Sequence, residues 1–394
     1  MKQIFKVRLP WRDQTFRSTG EQNTLRGKEI IRTREGIHMA RRLIAMFVAL
    51  FVVLYLTIVG SLAQSKQDAI HLIPEFTFEN GAKFQNMKVG YNTYGQLNDA
   101  RDNAVLVTHA TNGIRKSMEA YIGPGKAFDT EKYFIITVDA IGGGLSSAPS
   151  DGMGIDFPIY TIRDMVSAQY DLVTKGLGLN QLHAVGGPSM GSFQGLEWGI
   201  HYPDFMKGLI LIVPSAKSHA NFHAIVDAMI ATVKLDPAWN GGRYTQNPVE
   251  GLKRAGMIFV TWLRSDDFFG AIKTPVDYQK ALMAFGEAYA TWDARNWMWR
   301  YFASRDHDVS KPFGGNVSTA LLRIKAKALV MPSVSDRLLP LSAAREVYKG
   351  IKDATYSEIP SILGHLAYFP GNETASEYVF VTSRIREFLS GLTK

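Results

Sequence analysis

Gly187-Pro188-Ser189-Met190-Gly191 is the stretch of this chain with the clearest capacity for chemistry. It fits G-x-S-x-G, follows a short apolar run (His183–Gly186) and precedes a helical pattern over Phe193–His201. A sharp strand-to-helix turn of this kind lifts the serine Oγ above a sheet, and the flanking glycines keep the crowded turn free of side chains. The following helix aims unpaired N–H groups and the positive end of its dipole at the same place, which favours developing negative charge. The pentapeptide alone is common by chance. Its strand and helix flanks make it informative.

A serine hydroxyl is a weak nucleophile until a base takes its proton. For a serine on such a turn, the partners follow along the chain in the order acid, then histidine. Five histidines lie beyond Ser189: His201, His219, His223, His307 and His365. His201 sits in the helix after the turn and reads as structural. His219, His223 and Asp227 follow i, i+4 spacing and could share a metal, but a broad polar helix face is the reading preferred here, so no metal is expected. His307 stands between Asp306 and Asp308 and is expected in a solvated loop. His365 follows Gly364 just beyond the last expected strand, where a loop can carry an imidazole over the serine. The orienting acid is expected at Asp336, after the strand Ala326–Met331, because a carboxylate at the C-terminal end of a parallel strand shares the ligand-binding edge of the sheet. It would hold the imidazole tautomer and stabilise imidazolium. Oxyanion donors are expected from the N–H of Met190 and from the loop His109–Gly113, at Thr111.

The elements that must position these residues alternate. Met87–Tyr94, Asn103–Thr108, Tyr133–Asp139, Gly208–Val213, Ala326–Met331 and Thr355–Ile359 read as strands, several of them apolar on both faces as in a parallel sheet. Thr161–Leu177 reads as a helix with Thr161 as N-cap and Asp164 three residues on; Ser342–Ile351 and Tyr378–Leu392 read as two more. This pattern predicts a doubly wound, mostly parallel α/β sheet with helices on both faces. The rhythm breaks over residues 215–318, which hold five of the seven tryptophans (Trp239, Trp262, Trp292, Trp297 and Trp299) and read as an inserted helical lid. The core is accordingly expected in two parts, 64–214 and 319–394.

The chain has 394 residues, 46% apolar and 20% charged, which excludes a disordered or fibrous protein and suffices for a large core. There is no cysteine, so disulfides, thiolate metal sites and a cysteine nucleophile are excluded. The net charge is +8, but residues 1–42 carry 11 Lys and Arg against 4 acids and so hold +7 of it. A near-neutral body offers no footprint for a phosphate backbone, and no nucleic-acid partner is expected. Residues 43–63 (LIAMFVALFVVLYLTIVGSLA) are uncharged, follow Arg41-Arg42 and end in Ser61-Leu62-Ala63, a spacing acceptable to signal peptidase. The run is also long enough to span a bilayer. It is read as a signal peptide, or an uncleaved anchor with the body facing outward, behind a basic extension over 1–42; Met39 is a candidate start. A periplasmic or secreted body is expected, touching a membrane only through 43–63.

Beyond these local patterns, IGPGKAFDTEKYF (122–134), TIRDMVSAQ (161–169), SMGSFQGLEWGIHYPD (189–204), LDPAWNGGRY (235–244) and Ser335-Asp336 resemble the homoserine O-acetyltransferase branch of the α/β-hydrolase superfamily. The likeness covers most of residues 75–370. It implies an α/β-hydrolase fold with a helical lid, Ser189, Asp336 and His365 as a triad, and Thr111 and Met190 as backbone oxyanion donors. By its likeness to a lid segment, MIFVTWLRS (257–265) implies Arg264 as a substrate-binding residue. The chain departs from the family at Pro188 and Ser192, which replace two glycines. It departs again at Leu366, where the family has an aspartate that meets the substrate amino group; a leucine cannot accept from an ammonium.

Because an exported body meets no acetyl-CoA, the reading preferred from sequence is an exported serine hydrolase that cleaves an ester, lactone or amide. An acyltransferase of the homoserine O-acetyltransferase type using acyl-CoA is the second reading, and a non-catalytic binding protein on the same fold is the third. The expected partner is a small-molecule acyl substrate, with no cofactor and with a homodimer left open.

Overall fold

A computed structural model describes residues 65–392; the expected basic extension and the uncharged run at 43–63 lie outside the described residues. In chain order the sheet and its first helices are β1 (Ala69–Thr77), β2 (Lys83–Tyr94), β3 (Ala104–Val107), β4 (Phe134–Val138), α1 (Ile162–Asp171), β5 (Leu182–Pro188), α2 (Met190–His201) and β6 (Met206–Ile212). A helical stretch follows with α3 (Ala220–Lys234), α4 (Val249–Leu263), α5 (Asp266–Gly270), α6 (Pro275–Ala290), α7 (Ala294–Arg305) and α8 (Val317–Leu321). The chain then returns to the sheet through β7 (Lys327–Met331), α9 (Leu341–Gly350), β8 (Ala354–Tyr356) and α10 (Ser376–Ser390). The eight strands run in the order β1-β2-β4-β3-β5-β6-β7-β8. β1 and β2 pair antiparallel, β2 joins β4 antiparallel, and every pair from β4 to β8 is parallel.

The central strands are apolar on both faces because both faces are covered. Alternate residues of one strand therefore enter different cores. In β6, Leu209 and Leu211 pack with Trp198 of α2 and Met165 of α1, whereas Ile210 and Ile212 pack with Val381, Ile385 and Leu389 of α10. α1 starts where the sequence places it: the Thr161 side chain accepts from the Asp164 N–H, and the Asp164 carboxylate accepts from the Thr161 N–H. That reciprocal cap satisfies two donors that the first turn would otherwise leave unpaired.

Some elements differ from expectation: β2 starts at Lys83, before the expected Met87, and α1 ends at Asp171, short of Leu177. β1 was not foreseen: Pro74 argues against a central strand, and Ile70 and Leu72 face solvent, as an edge strand allows. α2 begins at Met190, three residues earlier than its apolar pattern, because the turn at Ser189 leads directly into the helix. β8 is only three residues long. Among the described residues no helix is long and apolar enough to cross a membrane.

Candidate active site

β5 runs buried to Pro188, and Ser189 then adopts φ 56°, ψ −119° before α2 begins. A non-glycine residue at positive φ is strained. Here the surroundings hold it: the Ser189 N–H donates to Ile212 O at 2.9 Å, and Ser189 O accepts from the Ser192 hydroxyl at 2.6 Å. Ser192, one of the two departures at this turn, thus supplies a bond that a glycine could not. The close passage of β3 explains Gly187, where an added Cβ would lie 2.2 Å from Thr108 O.

The loop after β8 brings His365 to this turn. Its Nε2 lies 2.9 Å from Ser189 Oγ, and its Nδ1 lies 2.7 Å from Asp336 Oδ2. Asp336, on the loop after β7, is fixed on its other side, where Oδ1 accepts from the Leu338 and Leu339 N–H groups at 2.8 and 3.0 Å. All three side chains are buried. Two features aim the histidine loop: Ser335 Oγ accepts from the Gly364 N–H at 3.1 Å, and Gly364 itself sits at φ +69° against the lid. A Cβ at Gly364 would meet Leu263 O at 2.5 Å, so both the backbone conformation and the space call for glycine. The geometry therefore joins residues 189, 336 and 365 in one hydrogen-bonded line, in which an imidazole can take the serine proton while a carboxylate holds its tautomer.

Ser189 and His365 open into a chamber of about 70 Å³ lined by Ala110, Thr111, Phe193, Phe222, Leu338 and Leu366 among others. Its walls are mostly apolar. Thr111 stands in this lining, and Met190 is the first residue of α2. Neither backbone N–H is bonded to another group among the described residues. Arg264 lies elsewhere, in an outer vestibule of about 440 Å³ that shares Ala110, Asn112, Leu263, Leu366 and Tyr368 with the chamber. Its guanidinium sits 4.5 Å from the centre of the Phe268 ring and donates to Leu363 O at 3.3 Å, while Nε has no partner among the described residues. Burial lowers its pKa from the ordinary arginine value.

The remaining histidines have other occupations. Contrary to expectation, His307 is buried: its ring stacks on Phe193 at 4.3 Å, and Nε2 lies 3.2 Å from Ser215 O. Burial pushes its pKa down to about 4. His219 is the N-cap residue of α3, and Asp227, the third residue of the spacing considered for a metal, is engaged by Arg305 at 2.7 Å. His109, just before the Thr111 loop, is also fully buried, and its pKa falls to about 4, first through burial and then through the positive charge of Arg300. Its Nε2 accepts from the Ala140 N–H at 3.0 Å, so Nδ1 carries the proton and donates it to Ala110 O at 2.7 Å.

Sequence reasoning missed the helix that holds this loop. From α7, Arg300 donates to Thr111 O and Gly113 O, Tyr301 OH accepts from the Asn112 side chain at 3.0 Å, and Ser304 Oγ lies 3.1 Å from Thr111 Oγ1. Nothing in the run Asn296–Arg305 marks these residues, because half of the partners are backbone carbonyls.

A profile described as the alpha/beta hydrolase fold matches residues 103–369. The chain is 32% identical over 349 residues to a homoserine O-acetyltransferase of Methanosalsum zhilinae, covering 78% of this chain and 71% of the relative. Among solved structures, the acetyl esterase MekB superimposes with a TM-score of 0.77 at 31% identity, over 82% of this chain and 97% of that one. A homoserine O-acetyltransferase from Bacillus anthracis does so with a TM-score of 0.73 at 26% identity, over 82% and 97%. These likenesses correct the function preferred from sequence. An exported serine hydrolase is set aside, since one curated relative after another is named homoserine O-acetyltransferase.

Proposed function

This chain belongs to the homoserine O-acetyltransferase-like branch of the alpha/beta hydrolase superfamily, and from that we propose that it transfers a short acyl group from an ester or thioester donor to the hydroxyl of a small acceptor, through an acyl-enzyme on Ser189. The observation that carries this reading is the line Ser189–His365–Asp336, at 2.9 and 2.7 Å, opening into a small, mostly apolar chamber. His365 Nε2 takes the proton as Ser189 Oγ bonds to the acyl carbon. The carbonyl oxygen becomes an oxyanion; the place of Thr111 in the chamber lining and the unbonded Met190 and Thr111 N–H groups among the described residues support these two as its donors. Collapse breaks the bond to the leaving group, which departs with the proton from His365. The acceptor hydroxyl then gives its proton to the same nitrogen, its oxygen bonds to the acyl carbon, and Ser189 recovers its hydroxyl as the new ester leaves.

Acetyl is the first acyl group to consider. The chamber of about 70 Å³ suits a group of few atoms, and acetyl appears in the names of all three relatives above. Arg264, whose side chain lines the vestibule, supports recognition of an anionic group on donor or acceptor outside the chamber. The uncharged run at 43–63 behind Arg41-Arg42 supports a body outside the cytoplasm, in which case the donor is an ester or thioester of that compartment. Fractionation of cells expressing the full chain reads that address: recovery of all the protein in the cytosol rejects it.

The test of function offers acetyl-CoA and p-nitrophenyl acetate as donors, with and without homoserine or simple alcohols, to wild-type protein and to Ser189→Ala. The expected result is acceptor-dependent release of the leaving group with formation of the acetylated acceptor, all lost in the variant. Release that no acceptor accelerates, with acetate as the only acyl product, overturns the proposal.

A further inference from the structure

Arg300 of α7 is a cation in an unusual setting. It is wholly buried, and no carboxylate pairs with it among the described residues. Its Nη1 donates to Thr111 O at 3.2 Å and Gly113 O at 2.6 Å, and its Nη2 donates to Ala140 O at 3.2 Å. The Trp292 ring covers it at 5.1 Å, and Gly143 leaves it room, since a Cβ there would come within 3.1 Å of Nη2. Burying a guanidinium is costly, and Asp139, whose charge favours it from beyond pairing distance, is itself paired with Arg115. An apolar side chain in its place would leave these three carbonyls without that donor, so the guanidinium ties α7 to the loops after β3 and β4.

What the guanidinium fixes is the shape of the loop beside the serine. The peptide between Ala110 and Thr111 is planar and trans, so its N–H points opposite to its C=O. Ala110 O is held by His109 Nδ1 at 2.7 Å and by the Gly113 N–H at 2.8 Å, which directs the Thr111 N–H the other way. The next peptide is pinned through Thr111 O by Arg300. With both neighbouring peptides held, Thr111 has little freedom in φ or ψ. We propose that Arg300 is a positioning residue that reaches from α7 to hold the 111–113 backbone, so that the Thr111 N–H stands ready for the oxyanion on the acyl carbon. The proposal rests on the acyl-enzyme reading above. Preorganised donors act because they need no rearrangement when the charge appears, and a rigid fork with several donors suits three carbonyls better than an ammonium does.

The experiment compares wild type, Arg300→Met and Arg300→Lys as full-length protein, with p-nitrophenyl acetate as donor. Four quantities are read: kcat, KM, the inhibition constant of ethylboronic acid, and the melting temperature. A boronic acid forms a tetrahedral adduct on the serine whose oxygen occupies the oxyanion position, so its affinity reports the loop in whatever fraction of the protein is folded. The expected result for Arg300→Met is a kcat lower by roughly tenfold to a hundredfold, KM within about threefold of wild type, and boronate affinity weakened in proportion to kcat. Arg300→Lys should fall between the two. Loss of kcat with unchanged boronate affinity, or wild-type values of both in either variant, overturns the positioning role. If Arg300→Met does not fold, Arg300→Lys carries the same criteria. Ser189→Ala separates the two readings: if it still turns over, the acyl-enzyme reading fails, and if it is inactive while the Arg300 variants are unchanged, only the role of Arg300 fails.

Discussion

Asp336→Asn isolates the tautomer of His365 with little change in shape. In the wild type, Asp336 Oδ1 accepts from the Leu338 and Leu339 N–H groups, and Oδ2 faces His365 Nδ1 at 2.7 Å. An asparagine carries one acceptor oxygen and one donor NH2. The two backbone N–H groups claim the oxygen, because a buried donor left unpaired costs about 1–3 kcal/mol. The NH2 is therefore turned toward His365, whose Nδ1 must become the acceptor. The imidazole proton moves to Nε2, the atom that should accept from Ser189. A base in the wrong tautomer costs about ten-thousand-fold in kcat, which corresponds to about 5 kcal/mol of transition-state stabilisation. The assay is acyl-enzyme formation from p-nitrophenyl acetate, followed as p-nitrophenolate release, beside a melting curve. The fold should persist, since the backbone bonds to residue 336 are kept. A variant within about tenfold of wild-type kcat would refute the reasoning, because Asp336 would then not be setting the proton on His365.

Two further outcomes follow from the same geometry. Phe222 of α3 lines the chamber, so Phe222→Ala should shift preference from acetyl toward longer acyl donors, with the ratio of kcat/KM for hexanoate over acetate rising by roughly tenfold or more; an unchanged ratio over a series of p-nitrophenyl esters would mean that this wall does not set acyl length. His307 stays neutral when folded, with its pKa down at about 4 against 6.5 for a free imidazole. Between those values the unfolded chain binds more protons, so the stability conferred by the neutral ring is present above about pH 6.5 and lost as pH falls toward about 4, a change of about 3 kcal/mol. His307→Leu should therefore flatten the melting-temperature profile over that window, leaving the contributions of His109 and His183, and a profile parallel to wild type would refute it.

The parts of this molecule legible in sequence are those whose cause is local. β3 and β4 declare themselves because a strand covered on both faces has to be apolar at every position. The meeting of residues 189, 336 and 365 could be anticipated because each stands at the C-terminal end of a parallel strand or in the loop beyond it, and those ends share one rim. His307 misled because its sequence neighbours, Asp306 and Asp308, are polar, while the ring turns inward to stack on Phe193. The separation of Arg264 from the serine chamber depends on the path of the lid and has no local sign. Arg300 was hidden for a deeper reason: its partners are the carbonyls of residues 111, 113 and 140, and a backbone carbonyl has the same sequence code everywhere. Leu366 shows the converse, a residue flagged in sequence only by the family resemblance and found lining the chamber.

These placements divide the labour between sheet and helical insertion in a way that constrains both. The sheet rim carries the hydrogen-bonded line, through Ser189 after β5, Asp336 after β7 and His365 after β8. The segment between β6 and β7 supplies the apolar walls, with Phe222, Phe259, Leu263 and Tyr301 all lining the chamber. It also reaches past the walls: α7 bonds residues 111, 112 and 113 of the loop after β3, and Leu263 O lies where a Cβ on Gly364 would have to go. The insertion thus bears on the donor loop and the base loop together. In the proposed reaction, exclusion of water and alignment of the oxyanion donors are accordingly coupled, and a change that loosens α7 should weaken both at once, whereas a change confined to α3 should alter acyl selection while the donor loop keeps its shape.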